Sequence, residues 1–404
     1  MSSDTDIAIV GGGLNGATLA LALARTGLDV TVIDALPPET RDDPEFDGRS
    51  YALALASIRL LRNLGLWSEL APKSQEMAGI RVTDGRAGDA RVFLGLSFSS
   101  SELEEGPMGA MLEDRFLRHA LLSALAETRG ITHRAPAKVV AQDLTPRGHR
   151  LTLGDGETLT ARLVIGADGR NSDTAQRAGL SRTGWRYKQT ALVCAIAHEQ
   201  PHDGLAHQLF LPSGPLAILP LPGNRSSIVW SERKGLAEEI NALPETGYLQ
   251  VLKPRFGDFL GEISLAGKRF AYPLEMTLAT ALTAPRLALV GDAAHAVHPL
   301  AGQGLNAGLR DVAALAHVLS HAQRRGEDIA SEPVLERYAR WRRFDTASLA
   351  IATDLFNRLF SNESVALRGL RDLGMSLVNR TAPLRRSFIR EAAGLTGDLP
   401  DLMR

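Results

Sequence analysis

Asp6-Ile-Ala-Ile-Val10-Gly11-Gly12-Gly13-Leu-Asn-Gly16 is the stretch on which the fold of this 404-residue chain turns. Its short β-branched, apolar run has the composition of a buried strand. The run enters G-x-G-x-x-G at Gly11, Gly13 and Gly16, and Ala17 to Arg25 follows as a strong helix former. Gly27 is a stop signal, and Val30-Thr-Val-Ile33 reads as a second strand ending at Asp34. Strand, glycines, helix, strand and acid in this order form the dinucleotide-binding βαβ pattern. The glycines let the backbone turn tightly and approach a pyrophosphate, whose charge sits at the helix N-terminus. Asp34 is placed to accept hydrogen bonds from an adenosine ribose.

A second stretch lies far along the chain: Ala288-Leu-Val-Gly-Asp292-Ala-Ala-His295-Ala-Val-His298-Pro299-Leu-Ala-Gly302-Gln303-Gly304-Leu305-Asn306-Ala-Gly308. An apolar strand runs into an acidic turn, then a Pro/Gly loop, then a helix. That arrangement can hold a flavin, with Asp292 at the ribityl chain and the helix N-terminus aimed at the isoalloxazine ring. Between the two stretches, Ala161 to Ile165 reads as a buried strand ending at Gly166-Ala-Asp168-Gly169. Ligands of open α/β sheets lie at the strand C-termini. Gly11, Asp168 and Asp292 are therefore expected to meet one extended cofactor. FAD suits three such segments better than NAD, which has no obvious use for the second acid-bearing strand end.

Composition excludes several classes. A net charge of -1 gives no global reason to expect nucleic acid. The single cysteine, Cys194, rules out an internal disulfide and a C-x-x-C pair, and its apolar flanks predict a buried strand thiol. No metal site is expected at Asp292-x-x-His295-x-x-His298, because the strand and glycine loop already account for that segment. No apolar stretch reaches the ~20 residues of a spanning helix, and the N-terminus enters the first strand without a signal peptide. A cytoplasmic protein is expected, with room for peripheral contact at the inner face of the membrane.

Along the chain, a helix is predicted from about Ala52 to Leu64, closed by Gly65, and another over about Asp114 to Thr128. Alternation from Gly79 to Ser99 and from Lys138 to Leu153 predicts antiparallel strands. Lys188 to Tyr272 reads as strand-rich, with Trp230 and Phe210 packed inside its sheet. Phe210, Leu211, Leu219 and Leu221 are candidates for an apolar lid. From Asp311 the chain reads as nearly all helix, with breaks at Pro333 and Pro383. A discontinuous nucleotide-binding α/β domain (1–78, 100–184, 273–330) is thus interrupted by a β-rich substrate domain (79–99, 185–272). A helical region, 331–404, follows.

The Gly11–Gly16 fingerprint, Gly166-Ala-Asp168-Gly169 and Gly291-Asp292-Ala-Ala-His295 resemble the three motifs of the para-hydroxybenzoate hydroxylase-type flavin monooxygenases. Pro299 to Asp311, Trp341-Arg-Arg-Phe-Asp345 and Ala352 to Asn362 are similar to the ubiquinone-biosynthesis FAD-dependent hydroxylases within that group. The resemblance implies an FAD-binding Rossmann-like (glutathione-reductase-type) domain with an inserted antiparallel β-sheet substrate domain and a C-terminal helical tail. Matching by motif, it implies cofactor contacts from Gly11, Gly13, Gly16, Asp34, Arg49, Arg115, Asp168, Gly169 and Asp292. It also places Gly302, Gln303, Gly304, Leu305 and Asn306 beside the flavin ring. No side chain is singled out as catalytic; His298 and Pro299 are candidates for a place near the substrate. One departure is visible: Ala175 stands where the family often has an arginine, with Arg177 two residues later.

The implied chemistry is hydroxylation of a polyprenyl phenol with NAD(P)H and O2 as co-substrates, through a C4a-hydroperoxyflavin. Backbone N–H groups where a helix begins near Gly304 are expected to stabilise negative charge on the reduced ring. Two other readings stay open: a small soluble aromatic substrate, or an FAD-bearing structural subunit of a ubiquinone-biosynthesis complex. From Arg358 to Arg390 there are seven arginines, no lysine and two acids, with Leu367, Leu370, Leu373 and Leu377 at helical spacing. That basic amphipathic stretch is either a membrane or partner surface or a helix packed on the body with a solvated face.

Overall fold

A computed structural model of the chain describes residues 4–84, 95–296, 303–343 and 381–404. Its first half-sheet follows from the apolar runs. Strand β1 (Thr5–Val10) leads through helix α1 (Leu14–Ala24) to strand β2 (Val30–Ile33), and β2 is buried along its whole length. A strand covered on both faces reads as a continuous apolar run, as Val30-Thr-Val-Ile33 does. Five parallel strands stand in the order Leu287–Leu289, Thr158–Gly166, β1, β2, Ile131–Arg134. An antiparallel meander, Val139–Thr145 and Gly148–Leu153, pairs onto Thr158–Gly166.

A nine-stranded sheet forms the second body. Its main path runs from His295–Ala296 through Phe270–Ala279, Arg182–His198, Arg225–Arg233, Gly214–Leu221 and Leu205–Leu211 to Gly79–Asp84 and Gly95–Ser99. The expected divisions at 184/185 and 272/273 fall inside two of these strands, Arg182–His198 and Phe270–Ala279. Trp230 is fully buried under one face with Leu192, Leu216, Tyr248 and Leu252. Leu211 packs in that cluster, whereas Leu219 and Leu221 join Met77 and Met111 in another. The four lid candidates are thus not one surface. Cys194 is the expected buried strand thiol, and burial pushes its pKa up to about 11.

Two expectations about secondary structure are corrected. The segment read as a helix from Ala52 begins as a strand, Ser50–Ala54, which pairs with Gly109–Glu113, and its helix is Leu55–Asn63. A cross-strand partner distant in sequence decides the first turn, overriding local propensity. The strand-rich region contains two helices, Lys234–Ala242 and Glu245–Phe256, which bury Ala237, Ile240, Tyr248 and Leu252. Pro333 marks the expected break: the helix Gln303–Arg324 ends before it and Pro333 stands in the first turn of 332–343, as Pro383 does in Ala382–Ala392. A helix loses nothing there, because first-turn N–H groups have no intrahelical partner.

Most of the arginine-rich stretch 358–390, Leu367 to Leu377 included, lies outside the described residues. Of its described arginines, Arg385 pairs with Glu102 at 2.7 Å and Arg390 with Glu105, so both are engaged by the body.

Candidate cofactor site

The register of the parallel sheet brings the three motifs to one edge. Val10 is level with Ile33 and Gly166, and Gly166 with Leu289. The residues that follow these strand ends, Gly11, Asp34, Asp168 and Asp292, are therefore neighbours in space although up to 281 positions apart. Gly11 has φ +107°, and a Cβ there would lie 2.4 Å from the Ala167 carbonyl oxygen. A Cβ on Gly16 would lie 1.9 Å from the Gly11 oxygen, so α1 rests directly on the turn. Gly13 differs: among the described residues nothing lies within 4 Å of its Cβ position. It caps α1, whose first turn carries no side-chain cap and no acid. Uncapped N–H groups at a helix start favour an anion.

Arginines and acids line the cleft beside this helix start, with Gly12, Gly13, Arg41, Arg49, Tyr51 and Arg118 among its walls. Asp34 is buried, accepts from Leu36 N at 3.0 Å and forms an ion pair with Arg41 at 2.6 Å. Arg49 pairs with Asp47 at 2.6 Å and lies 5.8 Å from the centre of the Phe270 ring. Burial opposes the Arg49 charge, but bonding to Asp47 and the field of Asp114 raise its pKa above the usual arginine value. Asp114 accepts from Tyr51 Oη at 2.9 Å and Arg118 Nε at 2.7 Å.

Arg115, singled out by motif, turns elsewhere. It donates to buried Glu113 at 2.8 Å and to the Pro44 carbonyl at 2.9 Å, and stacks 4.5 Å from the Phe116 ring centre. Glu113 also accepts from Arg225 of the nine-stranded sheet at 2.7 Å. Arg115 thus belongs to a joint between the two bodies, and Arg118, one turn later, supplies the guanidinium of the cleft. Asp168 is engaged locally: it accepts from the Ser172 hydroxyl and from Thr174 N and Oγ1, capping the short helix Asp173–Arg177. Gly169 provides the positive φ of that turn, +83°.

The second acidic turn is held from behind. Gly291 donates its N–H to Asp311 at 3.0 Å, and Arg182 bonds the Asp292 and Ala293 carbonyls at 3.0 and 2.8 Å. The Asp292 carboxylate is left at the surface, 41% exposed and 3.2 Å from Arg170. Asp311 itself is fully buried between His295 Nε2 at 2.6 Å and Arg342 Nε at 2.7 Å. His295 is thereby a structural hydrogen-bonding group. Asn15 of α1 is wedged between Gly291 and Gly308: a Cβ on either glycine would lie 2.2 or 2.5 Å from Asn15 Nδ2. Sequence reasoning passed over Asn15, Arg41, Arg118 and Arg182.

The long helix Gln303–Arg324 opens at this turn. Among the described residues, nothing lies within 4 Å of a Cβ on Gly304. Leu305 packs on the core. The Asn306 side chain accepts from Ala54 N and Ser57 Oγ at 2.9 and 2.8 Å and donates to Ala52 O at 2.8 Å. It therefore stitches the helix to segment 52–57. His298, Pro299 and Gly302 lie outside the described residues.

A family model described as "FAD binding domain" matches residues 4–350. The chain is 46% identical over 402 residues to "Ubiquinone hydroxylase UbiL" of Rhodospirillum rubrum, covering 99% of this chain and 92% of that protein. It is 37% identical to the "3-demethoxyubiquinol 3-hydroxylase" of Escherichia coli, covering 97% and 99%. In fold it matches the crystal structure of p-nitrophenol 4-monooxygenase PnpA from Pseudomonas putida with a TM-score of 0.80 at 20% identity, covering 98% and 99%. Fold and family together define an FAD-dependent monooxygenase. Within that class the chain belongs to the ubiquinone-biosynthesis FAD hydroxylase family.

Proposed function

We propose that this chain hydroxylates the aromatic ring of a polyprenyl phenol intermediate in ubiquinone biosynthesis, with NAD(P)H and O2 as co-substrates. The observation that carries the reading is the convergence of four strand ends on one sheet edge beside two helix starts that no described side chain fills at Gly13 and Gly304. The names of the relatives support the substrate class.

The residues present fit FAD. In this reading the α1 N-terminus and Gly13 receive the pyrophosphate, Asp34 the ribose, Arg49 and Arg118 the remaining negative charge, and Asp292 the ribityl chain. Gly11 and Gly16 shape the turn. Gln303, Gly304 and Leu305 offer backbone N–H groups where charge develops on the ring, and Asn306 holds that turn in place. Asp168 and Gly169 act by building the neighbouring loop. When bound, the flavin supplies hydride acceptance and oxygen activation. The protein's share is to orient, to supply fixed dipoles and to exclude water.

The proposal includes peripheral contact with the membrane that carries such a substrate. Among the described residues, no helix is long and apolar enough to cross it.

In a strain lacking the gene, a prenylated ring precursor should accumulate and disappear on complementation with the wild-type chain. Mass spectrometry of quinone intermediates names the precursor and the ring position. Restoration by a flavin-free variant would overturn the enzymatic reading in favour of a structural subunit. The two arginines separate in a second test. Arg118→Ala should weaken FAD binding to the apoprotein about tenfold, or about 1.4 kcal/mol, whereas Arg115→Ala should lower stability with little change in FAD affinity. Fluorescence titration checks this, and equal losses would remove Arg118 from the cofactor set.

A further inference from the structure

Two histidines that the cofactor site does not use face one acid far along the long helix. His317 and His321 are four residues apart on Gln303–Arg324, so they project from one face. Their rings stack with centroids 4.2 Å apart. His317 Nδ1 and His321 Nε2 lie 3.0 and 3.4 Å from the same atom, Asp401 Oδ2. Asp401 opens the short turn Asp401–Met403 near the chain's end. Trp341 packs edge-on against His317, with centroids 5.1 Å apart, and donates its indole N–H to the Asp398 carbonyl at 3.2 Å. Helix, Trp341 and the last turn thus converge on one carboxylate oxygen.

Hydrogen bonding alone does not complete this cluster. His317 Nδ1 is shielded from solvent and, although 3.0 Å from the carboxylate, has no hydrogen-bond partner among the described residues. A ring nitrogen buried in this way calls for a partner. The three donor atoms all lie within 4.8 Å of one another. A tetrahedral zinc with arms of about 2.0–2.2 Å spaces its ligand atoms about 3.3–3.6 Å apart, and the measured 3.0 and 3.4 Å lie within a few tenths of an ångström of that range. Arg404 approaches the other carboxylate oxygen, Oδ1, at 3.6 Å and leaves Oδ2 to the histidines. Asp401 is half exposed, so water has access to a fourth position.

We propose that His317, His321 and Asp401 form a site for a transition dication of the zinc class, which clips the C-terminal turn onto the long helix. Two imidazoles and one carboxylate suit Zn²⁺ or Ni²⁺, whereas Mg²⁺ and Ca²⁺ take oxygen shells. His317 stands about 20 Å along the helix from its start, so the clip is structural and apart from the redox chemistry. Binding to the folded chain raises its stability by mass action.

The test uses the full-length FAD-loaded protein, stripped with EDTA and titrated with ZnCl2 in a calorimeter. One Zn²⁺ per chain is expected, with affinity at least tenfold lower in His321→Ala and in Asp401→Asn. Zn²⁺ should raise the melting temperature of the wild type and not of these variants, and MgCl2 should do neither. Ni²⁺ should quench a fluorescence component that Trp341→Phe abolishes. The absence of saturable Zn²⁺ binding, or unchanged affinity in both His321→Ala and Asp401→Asn, overturns the proposal. His321 is part-exposed, so its alanine variant should melt like the wild type in EDTA, which confirms that lost binding is not lost folding.

Discussion

Gly13→Val should yield a folded protein that purifies without its yellow cofactor. Gly13 has φ -68° and ψ -174°, a conformation open to any residue, and its Cβ position meets no atom of the described residues within 4 Å. A branched side chain there therefore costs the apoprotein almost nothing. It enters the space at the α1 N-terminus where a pyrophosphate must come close to backbone N–H groups. We expect FAD affinity to fall at least about 100-fold, about 2.7 kcal/mol, with the circular dichroism spectrum and melting temperature of the apoprotein unchanged. Gly16→Val is the contrast. Its Cβ would stand 1.9 Å from the Gly11 oxygen, so that variant loses the fold along with the cofactor. Full flavin occupancy in purified Gly13→Val would show that the pyrophosphate lies elsewhere.

Asp311→Ala is expected to be the most destabilising single change near the second acidic turn. The fully buried carboxylate accepts from His295, Arg342 and the Gly291 N–H, and Arg342 is itself only 2% exposed. Removing it leaves a guanidinium buried without its partner, a situation that costs about 3–5 kcal/mol. For a chain of this size that corresponds to a fall in melting temperature of roughly 4–6 °C. Flavin retention should fall as well, because Asp311 orients the turn that carries Asp292. Differential scanning calorimetry checks the first effect; a change within one degree would refute it. The same carboxylate sets a pH dependence. Burial alone would raise its pKa, but the charges and hydrogen bonds of His295 and Arg342 hold it below 3.8. A depressed folded-state pKa contributes stability that is full above the unfolded-state value and is lost as pH falls through the folded one. The difference in stability between wild type and Asp311→Asn should therefore be constant near neutrality and shrink below pH 3.8.

The cofactor end of the fold was legible because its signals are local. A β-branched run, glycines at fixed offsets and an acid after the second strand are each written within a few residues. Helices Lys234–Ala242 and Glu245–Phe256 carried a legible signal too. Ala237 and Ile240, and likewise Tyr248 and Leu252, recur at helical spacing, and the surrounding strands obscured them. The strand Ser50–Ala54 had no such signal, since its partner Gly109–Glu113 lies more than 50 residues away.

Side-chain roles were the least legible part. Arg115 and Arg118 are both arginines in the first two turns of one helix, and only the position of Glu113 and Arg225 decides which of them turns from the cleft. Asn306, expected beside the flavin ring, holds segment 52–57 through its side chain with three hydrogen bonds. Asp168 likewise satisfies its own loop.

By itself the sequence determined the nucleotide-binding βαβ unit, the cofactor class and the order of the three motifs, because backbone geometry at glycines and strand ends depends on neighbours in the chain. The tertiary structure alone decided which charges face the cleft, which acid is buried as a hub, and how His317, His321 and Asp401 meet. Those outcomes depend on partners brought together by sheet register and helix packing, and a buried charge takes its role from whatever neutralises it.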